Sequence, residues 1–247
     1  MLFRRKYAPP VSCSRSRCPL KHACNDGRVY LRRVGRLGAA LLVVTSAIGS
    51  GAHPPAASAD DCPDVELVFA RGTGEPPGLG RMGDALTARL QPQLGGRTLG
   101  TYAVDYPASY NFLSTRNGAN DAAAHIADLA ARCPGTRIAL GGFSQGASAV
   151  SMLAGVAPVG ERIGSIGSAP ALPPELAGNV AAVAVFGNPG ARFGSPLSTS
   201  GQFAGRAIDL CSPGDPICSD GRNRSAHSNY DAPPYIDQAT SFVAGLV

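Results

Sequence analysis

Short apolar runs alternate along the chain with longer stretches in which apolar residues recur every three to four positions. The short runs are apolar almost throughout, rather than at every second position, and most are bounded by glycine, proline or polar residues. Such runs are typical of strands that are buried on both faces of a sheet. The pattern predicts strands at residues 65–70, 98–104, 138–143, 180–186 and 207–210.

The intervening stretches have the spacing of amphipathic helices. In one of them Ala122, Ile126 and Leu129 fall on a single helical face. Strands that alternate with helices predict one α/β domain, with a central parallel sheet flanked by helices. In such sheets the functional residues gather at the carboxyl ends of the strands. The predicted helices span residues 79–94, 117–132, 144–155 and 235–246.

The N-terminal segment, residues 1–59, is typical of a secretion signal that is removed. A basic stretch at 28–36 precedes an apolar run at 37–48, and Ala57-Ser58-Ala59 fits an A-x-A cleavage site. Twelve apolar residues are too few to cross a bilayer as a helix, which needs about 20. An uncleaved anchor or a buried helix is the alternative. The domain to be explained is therefore 60–247, in a secreted, extracellular protein that could also associate with the cell envelope.

The split at Ala59 changes the meaning of the net charge. The whole chain of 247 residues carries +5, which suggests an anionic partner. Ten of the 22 basic residues lie in 1–59, which leaves 12, all of them arginine; one of the 17 acidic residues lies there, which leaves 16. The domain is thus near −4, and we expect no nucleic-acid partner.

The cysteines of the domain predict two disulfides and no metal site. Three of the seven cysteines lie in the leader, and the domain keeps Cys62, Cys133, Cys211 and Cys218. An even set in an exported chain favours disulfides, and neither CxxC spacing nor clustered histidines favour a metal. Four cysteines allow three pairings. The proposed one closes the short loop Cys211–Cys218 and joins Cys62 to Cys133.

A candidate nucleophile lies between the third strand and the next helix. Residues 142–146 read Gly-Phe-Ser-Gln-Gly, the G-x-S-x-G pattern of a strand–turn–helix nucleophile. The turn is tight, so its neighbours must be small, and Gly142 and Gly146 supply the room. The helix that follows directs its N-terminus towards developing negative charge. Ser144 is the predicted nucleophile, against the alternative of a glycine-serine turn without chemistry.

A serine hydroxyl needs a general base, usually a histidine. Three of the four histidines can be set aside, which leaves one candidate. His22 and His53 lie in the leader. His125 falls within a predicted helix, where a partly packed surface role is the simpler interpretation. His227 lies in a polar loop before the last helix and is the predicted base.

A catalytic triad needs a third residue beside the nucleophile and the base. It should be an acid between Ser144 and His227 in chain order. Asp215 stands out because the Cys211–Cys218 loop would hold its carboxylate in place to orient an imidazole. A local turn role in Pro-Gly-Asp-Pro is the alternative. The remaining candidates are Glu161, Glu175, Asp209 and Asp220.

Three segments of the domain resemble the cutinases and cutinase-like serine esterases, including acetylxylan esterases. They are Phe-Ala-Arg-Gly-Thr at 69–73, the stretch 134–146 around Ser144, and the Cys-Ser-Pro-Gly-Asp-Pro-Ile-Cys loop at 211–218 followed by His227. The resemblance covers nearly all of 62–247. Phe143 stands where the family usually has tyrosine.

The resemblance implies a compact single-domain α/β-hydrolase without a large lid, both disulfides, and Ser144, Asp215 and His227 as catalytic residues. It also implies an oxyanion hole formed by Thr73 and Gln145, with the Thr73 hydroxyl as a further donor. The expected reaction is hydrolysis of a carboxylic ester through an acyl-enzyme, with no cofactor. A phospholipase A or thioesterase activity, or a non-catalytic binding module, are the alternatives.

The sequence departs from the family between the last cysteine and the histidine. Polymer-degrading members have an apolar stretch there, whereas residues 219–226 are polar and contain Arg222 and Arg224. We therefore expect short-to-medium acyl esters or lipids rather than cutin, with Arg222 and Arg224 favouring soluble esters or an anionic headgroup. Phe112 and Leu113 are candidates for the acyl side. The protein is expected to be a monomer that contacts lipid surfaces transiently.

Overall fold

The structure, a computed structural model, describes residues 62–157 and 166–247. The leader, its A-x-A site and Glu161 lie outside the described residues. Within the described part of the chain, no helix is both long and apolar enough to cross a membrane.

Five parallel strands form one sheet in the order β2-β1-β3-β4-β5. All five predicted strands are present, and the α/β prediction with a central parallel sheet is confirmed. The crossovers put β1 and β3 at the centre, so the ends of these two strands lie side by side. The strands are β1 (Val65–Ala70), β2 (Leu99–Ala103), β3 (Arg137–Phe143), β4 (Val180–Phe186) and β5 (Ala207–Leu210).

Helices cover both faces of the sheet, because alternate side chains of each strand point to opposite sides. Val68, Leu140 and Val183 face a core that includes α2 and α3. Leu67, Ala139 and the other alternate residues face a second core that includes α1 and α6. The helices are α1 (Gly80–Leu90), α2 (Thr115–Arg132), α3 (Gln145–Leu153), α4 (Pro174–Ala177), α5 (Pro189–Arg192) and α6 (Tyr235–Ala244).

The helix boundaries differ from the predicted ones for local reasons. The helix expected at 79–94 ends at Leu90 and continues as a 3-10 turn, Gln91–Leu94, that contains Pro92. Proline has no N–H to continue the α-helical pattern. Two 3-10 turns, Phe112–Ser114 and Arg224–Ser228, and the four-residue helices α4 and α5 are too short to leave a periodic signal.

The two disulfides join Cys62 to Cys133 and Cys211 to Cys218. The first ties the residues before β1 to the end of α2, at the edge where the strands begin. The second closes the loop after β5, at the edge where the strands end. They therefore constrain opposite ends of the sheet.

Removing the longer-range disulfide should cost more stability than removing the short one. The Cys62–Cys133 bond spans 71 residues and the Cys211–Cys218 bond spans 7. Loop-closure entropy predicts a loss of about 4 kcal/mol in unfolding free energy for C62A/C133A and about 2.5 kcal/mol for C211A/C218A. Urea unfolding of the oxidised proteins measures both, and the reverse order would contradict this account.

Candidate active site

Ser144 is the single residue between the end of β3 and the start of α3. Its backbone has φ 54° and ψ −111°, a conformation that costs a residue with a side chain on the order of 1–3 kcal/mol. This turn reverses the chain sharply, and the Ser144 side chain stays partly exposed at the carboxyl end of the sheet.

Two glycines make the turn possible. A Cβ on Gly146 would lie 1.9 Å from the carbonyl oxygen of Ala70, the last residue of β1. A Cβ on Gly142 would lie 2.6 Å from the backbone of Gly146. The first turn of α3 is therefore pressed against the end of β1, which leaves no room for any side chain at either position.

The three residues Ser144, His227 and Asp215 are brought into one line of hydrogen bonds. His227 Nε2 lies 2.8 Å from Ser144 Oγ, and His227 Nδ1 lies 2.7 Å from Asp215 Oδ2. Asp215 is fully buried. Ser144 comes from the β3–α3 turn, Asp215 from the disulfide loop after β5, and His227 from the 3-10 turn Arg224–Ser228.

Asp215 has two further donors. The Tyr230 hydroxyl donates to Oδ2, and the Ile217 N–H donates to Oδ1 at 2.7 Å. Burial alone would raise the pKa of Asp215, but the hydrogen bonds from His227, Tyr230 and Ile217 outweigh it and hold the pKa below its usual value. The carboxylate stays charged beneath the imidazole.

Tyr230, Phe143 and Gly187 support this line and were not predicted. Tyr230 also accepts from the Ser212 N–H at 2.9 Å, and the Phe143 ring stacks on His227 with centroids 4.9 Å apart. A Cβ on Gly187 would lie 2.6 Å from His227 Cε1. The sequence could have indicated Gly187, because it directly follows β4, at the edge of the sheet where the carboxyl ends of the strands lie.

The segment that carries Thr73 is held by its neighbours. Arg71 donates to the carbonyl oxygens of Glu75 at 3.0 Å and Tyr106 at 2.5 Å, and it is buried. The Glu75 carboxylate accepts the N–H of Gly72 at 2.6 Å. The loop after β1 is thus fixed on both sides of Thr73.

Thr73 and Gln145 meet through their side chains. The Thr73 hydroxyl donates to Gln145 Oε1 at 2.9 Å, and Gln145 Nε2 donates to Thr115 Oγ1 at 3.0 Å. Thr115 in turn donates to the Phe112 carbonyl at 2.7 Å, and this acceptor sets the direction of the whole chain of hydrogen bonds. The Thr73 hydroxyl, expected as a further oxyanion donor, is therefore engaged by Gln145. Gln145 begins α3, so its own N–H has no acceptor within the helix.

A cavity of about 760 Å³ opens over Ser144 and His227. Phe112 and Arg224 line it, whereas Leu113 and Arg222 are exposed and do not. Arg224 belongs to the 3-10 turn that carries His227, and Arg222 precedes that turn. Of the four candidate substrate-binding residues, only Phe112 and Arg224 therefore line the cavity.

The other titratable candidates lie elsewhere. His125 bonds Glu66 and stacks on the Tyr102 ring. Asp209 accepts from Asn188 and Ser198, and Asp220 and Glu175 are exposed. In residues 62–157 and 166–247, no group of three His, Cys, Asp or Glu could hold a metal ion.

Replacing Tyr230 by phenylalanine should flatten the pH dependence of stability. A lowered carboxyl pKa stabilises the fold above the unfolded value of 3.8, and this stabilisation is lost as the pH falls. Y230F removes a hydrogen bond that lowers the pKa of Asp215. We expect it to cost about 2 kcal/mol at pH 7 and to lose less stability than the wild type below about pH 5.

Denaturant unfolding between about pH 7 and pH 3 measures this difference. Y235F is the matched control, because the Tyr235 hydroxyl is not bonded to Asp215. Parallel curves for Y230F and the wild type would contradict the role of Tyr230.

Known proteins similar to this chain share its family and its fold. Residues 61–247 match the family described as Cutinase. The chain is 49% identical to a Mycobacterium tuberculosis protein named probable carboxylesterase Culp3, over 89% of this chain and 84% of that protein. It is 45% identical to Phospholipase Culp4 of the same organism, over 87% of this chain and 92% of that protein.

A solved structure supports the same assignment. The Trichoderma reesei cutinase in complex with a C11Y4 phosphonate inhibitor is 31% identical, with a TM-score of 0.57 over 74% of this chain and 76% of that one. The family match extends over well more than half of the sequence. The chain therefore belongs to the cutinase family and is a carboxylic ester hydrolase.

Proposed function

We propose that this protein is an extracellular serine esterase that cleaves carboxylic esters through an acyl-enzyme on Ser144. The observation that carries the proposal is the line of hydrogen bonds from Ser144 Oγ through His227 to the buried Asp215, at 2.8 and 2.7 Å. A hydroxyl, a base in contact with it and an acid that orients the base are the parts that nucleophilic acyl transfer needs.

In the first half of the reaction, Ser144 Oγ attacks the ester carbonyl carbon while His227 Nε2 takes the hydroxyl proton. The carbonyl oxygen becomes an oxyanion, which the backbone N–H groups of Thr73 and Gln145 bind. His227 then gives its proton to the alcohol oxygen, the C–O bond breaks, and the alcohol leaves an acyl group on Ser144.

In the second half, water takes the place of the alcohol. His227 accepts a proton from the water as its oxygen attacks the acyl carbon, and the oxyanion forms again. Return of the proton to Ser144 Oγ releases the carboxylic acid. Asp215 stays ionised throughout, where it selects the Nδ1–H tautomer of His227 and stabilises the imidazolium.

Export and a small ester substrate complete the proposal. Two disulfides suit an oxidising compartment, in agreement with a leader in residues 1–59 that is removed. A polar loop beside His227 suits short-to-medium acyl esters or lipids better than cutin. A phospholipase activity is the second candidate, because one relative is named as a phospholipase and Arg224 lines the cavity.

A serine-reactive organophosphate should add one phosphoryl group to the wild-type protein and none to S144A. The attack requires both an activated hydroxyl and the oxyanion donors, so H227A should react far more slowly. Intact-mass measurement at neutral pH gives the stoichiometry, and peptide mapping gives the site. An unlabelled wild type, or equal labelling of S144A, would contradict the proposed function.

Replacing Thr115 by valine should lower kcat about tenfold with less than a twofold change in KM. Valine has the shape of threonine but cannot accept from Gln145 Nε2, so the residue that supplies an oxyanion N–H loses its anchor. Loss of a whole donor typically costs on the order of 10²–10³ in kcat, and misplacement costs less.

T115S is the matched control, because serine keeps the hydroxyl. We expect it to restore most of kcat for a p-nitrophenyl ester, with both variants folded by circular dichroism. If T115V and T115S lose kcat equally, Thr115 acts through packing and does not position Gln145.

A further inference from the structure

The cavity over Ser144 has two walls of different chemistry. Tyr110, Phe112 and Ile166 line an apolar part, and Arg81, Arg192 and Arg224 line a cationic part that also includes Pro216 and Ile217. The segments that carry Phe112 and Ile166 lie close together, since a Cβ on Gly167 would lie 2.9 Å from the Leu113 carbonyl oxygen. The apolar part lies on the side of Gln145, and the cationic part lies on the side of His227.

The apolar wall belongs to the oxyanion side. Phe112 is joined to Gln145 through the Thr115 hydrogen bonds described above. The apolar wall thus lies beside the proposed oxyanion donor, and we assign the acyl group to it because the alcohol group of the ester must lie against His227.

The cationic wall belongs to the His227 side. Arg192 Nη1 donates to the Pro216 carbonyl at 2.6 Å, and the N–H of Asn223 donates to the Gly214 carbonyl at 2.8 Å. Both arginine segments are thus fastened to the loop that carries Asp215. Arg224 and His227 are three residues apart in a 3-10 turn, which has about three residues per turn, so they share one side of it.

The charge on this wall is only partly compensated. Arg81 pairs with Asp231 at 2.7 Å, and Arg192 pairs at 3.4 Å with Asp220, whose side chain is 96% exposed. Arg224 forms no ion pair with any residue in 62–157 or 166–247. Glu75, the acid that lines the cavity, already accepts the N–H groups of Gly72 and Arg81. Because the domain as a whole is near −4, this positive surface is a local feature.

The reaction decides which half of the substrate meets this wall. His227 protonates the departing alcohol, so the alcohol oxygen must lie against His227 Nε2. The alcohol half of the ester therefore extends along the side that bears Arg224 and Arg192. A guanidinium binds phosphate through paired, charge-assisted hydrogen bonds.

We infer that the cavity selects esters whose alcohol half carries a phosphate, with Arg224 as the principal phosphate-binding residue, Arg192 beside it, and the acyl chain on the wall of Tyr110, Phe112 and Ile166. The inference rests on the proposed function and specifies its substrate class. Acylated glycerol phosphates have this arrangement.

Two substrates test it, 1-octanoylglycerol and 1-octanoylglycerol 3-phosphate, below their aggregation concentrations. They share the acyl chain and the scissile ester and differ in the phosphate. The measured quantity is the ratio of kcat/KM for the phosphate ester to that for the neutral ester. We expect a ratio of about ten in the wild type, a fall of about tenfold in R224A, a smaller fall in R192A and partial retention in R224K.

R222A is the matched control. Arg222 carries the same charge and is two residues from Arg224 in the sequence, but its side chain lies outside the cavity. An unchanged ratio in R224A, or an equal fall in R222A and R224A, would overturn the inference. Inhibition of neutral-ester hydrolysis by glycerol 3-phosphate or inorganic phosphate, lost in R224A, would show recognition of phosphate itself; inhibition only by the acylated phosphate would assign the site to a lipid headgroup.

The two proposals fail differently. A wild type that hydrolyses neither ester contradicts the serine esterase and the inference with it. A wild type that hydrolyses both esters with a ratio near one, in all variants, contradicts only the phosphate site.

Discussion

The contact between Gly146 and the carbonyl end of β1 is the constraint on which the site depends. A methyl group on Gly146 would lie 1.9 Å from the Ala70 oxygen, so the first turn of α3 lies directly against the backbone of its neighbouring strand. This approach brings the loop after β1 next to the start of α3. Thr73 and Gln145 can then bond each other, although they are 72 residues apart.

The same approach explains why Ser144 is held in a costly backbone conformation. One residue connects the buried strand β3 to the buried helix α3, and the first turn of that helix lies against the end of β1. The cost, on the order of 1–3 kcal/mol, is offset by the packing of β3 and α3 in the core. Strain is thereby localised at the residue whose side chain must project from the surface.

A polar network holds the other half of the site. Asp215 is buried, and His227, Tyr230 and the Ile217 N–H satisfy its oxygens. The short Cys211–Cys218 loop limits the movement of this carboxylate. His227 is held between Phe143 and the space left by Gly187. Arg224 lies on the same 3-10 turn as His227, so the contacts that hold His227 also position Arg224.

The sequence was informative where a residue type carries its own geometry. The five parallel strands predicted from the apolar runs are confirmed. Of the predicted residues, His227 lies within hydrogen-bond distance of both Ser144 and Asp215. The sequence did not indicate Tyr230, because its contact with Asp215 is encoded by no local pattern. Arg222 and Arg224 looked equivalent in the sequence, and only the 3-10 turn separates them.

A crystal structure of the protein with a phosphonate ester bound to Ser144 is the most direct test of this account. The adduct mimics the tetrahedral intermediate, with a phosphonyl oxygen in place of the oxyanion. We expect a bond from Ser144 Oγ to phosphorus, with the phosphonyl oxygen about 2.7–3.1 Å from the backbone nitrogens of Thr73 and Gln145. A phosphonyl oxygen directed away from both nitrogens, or an adduct on another residue, would contradict it.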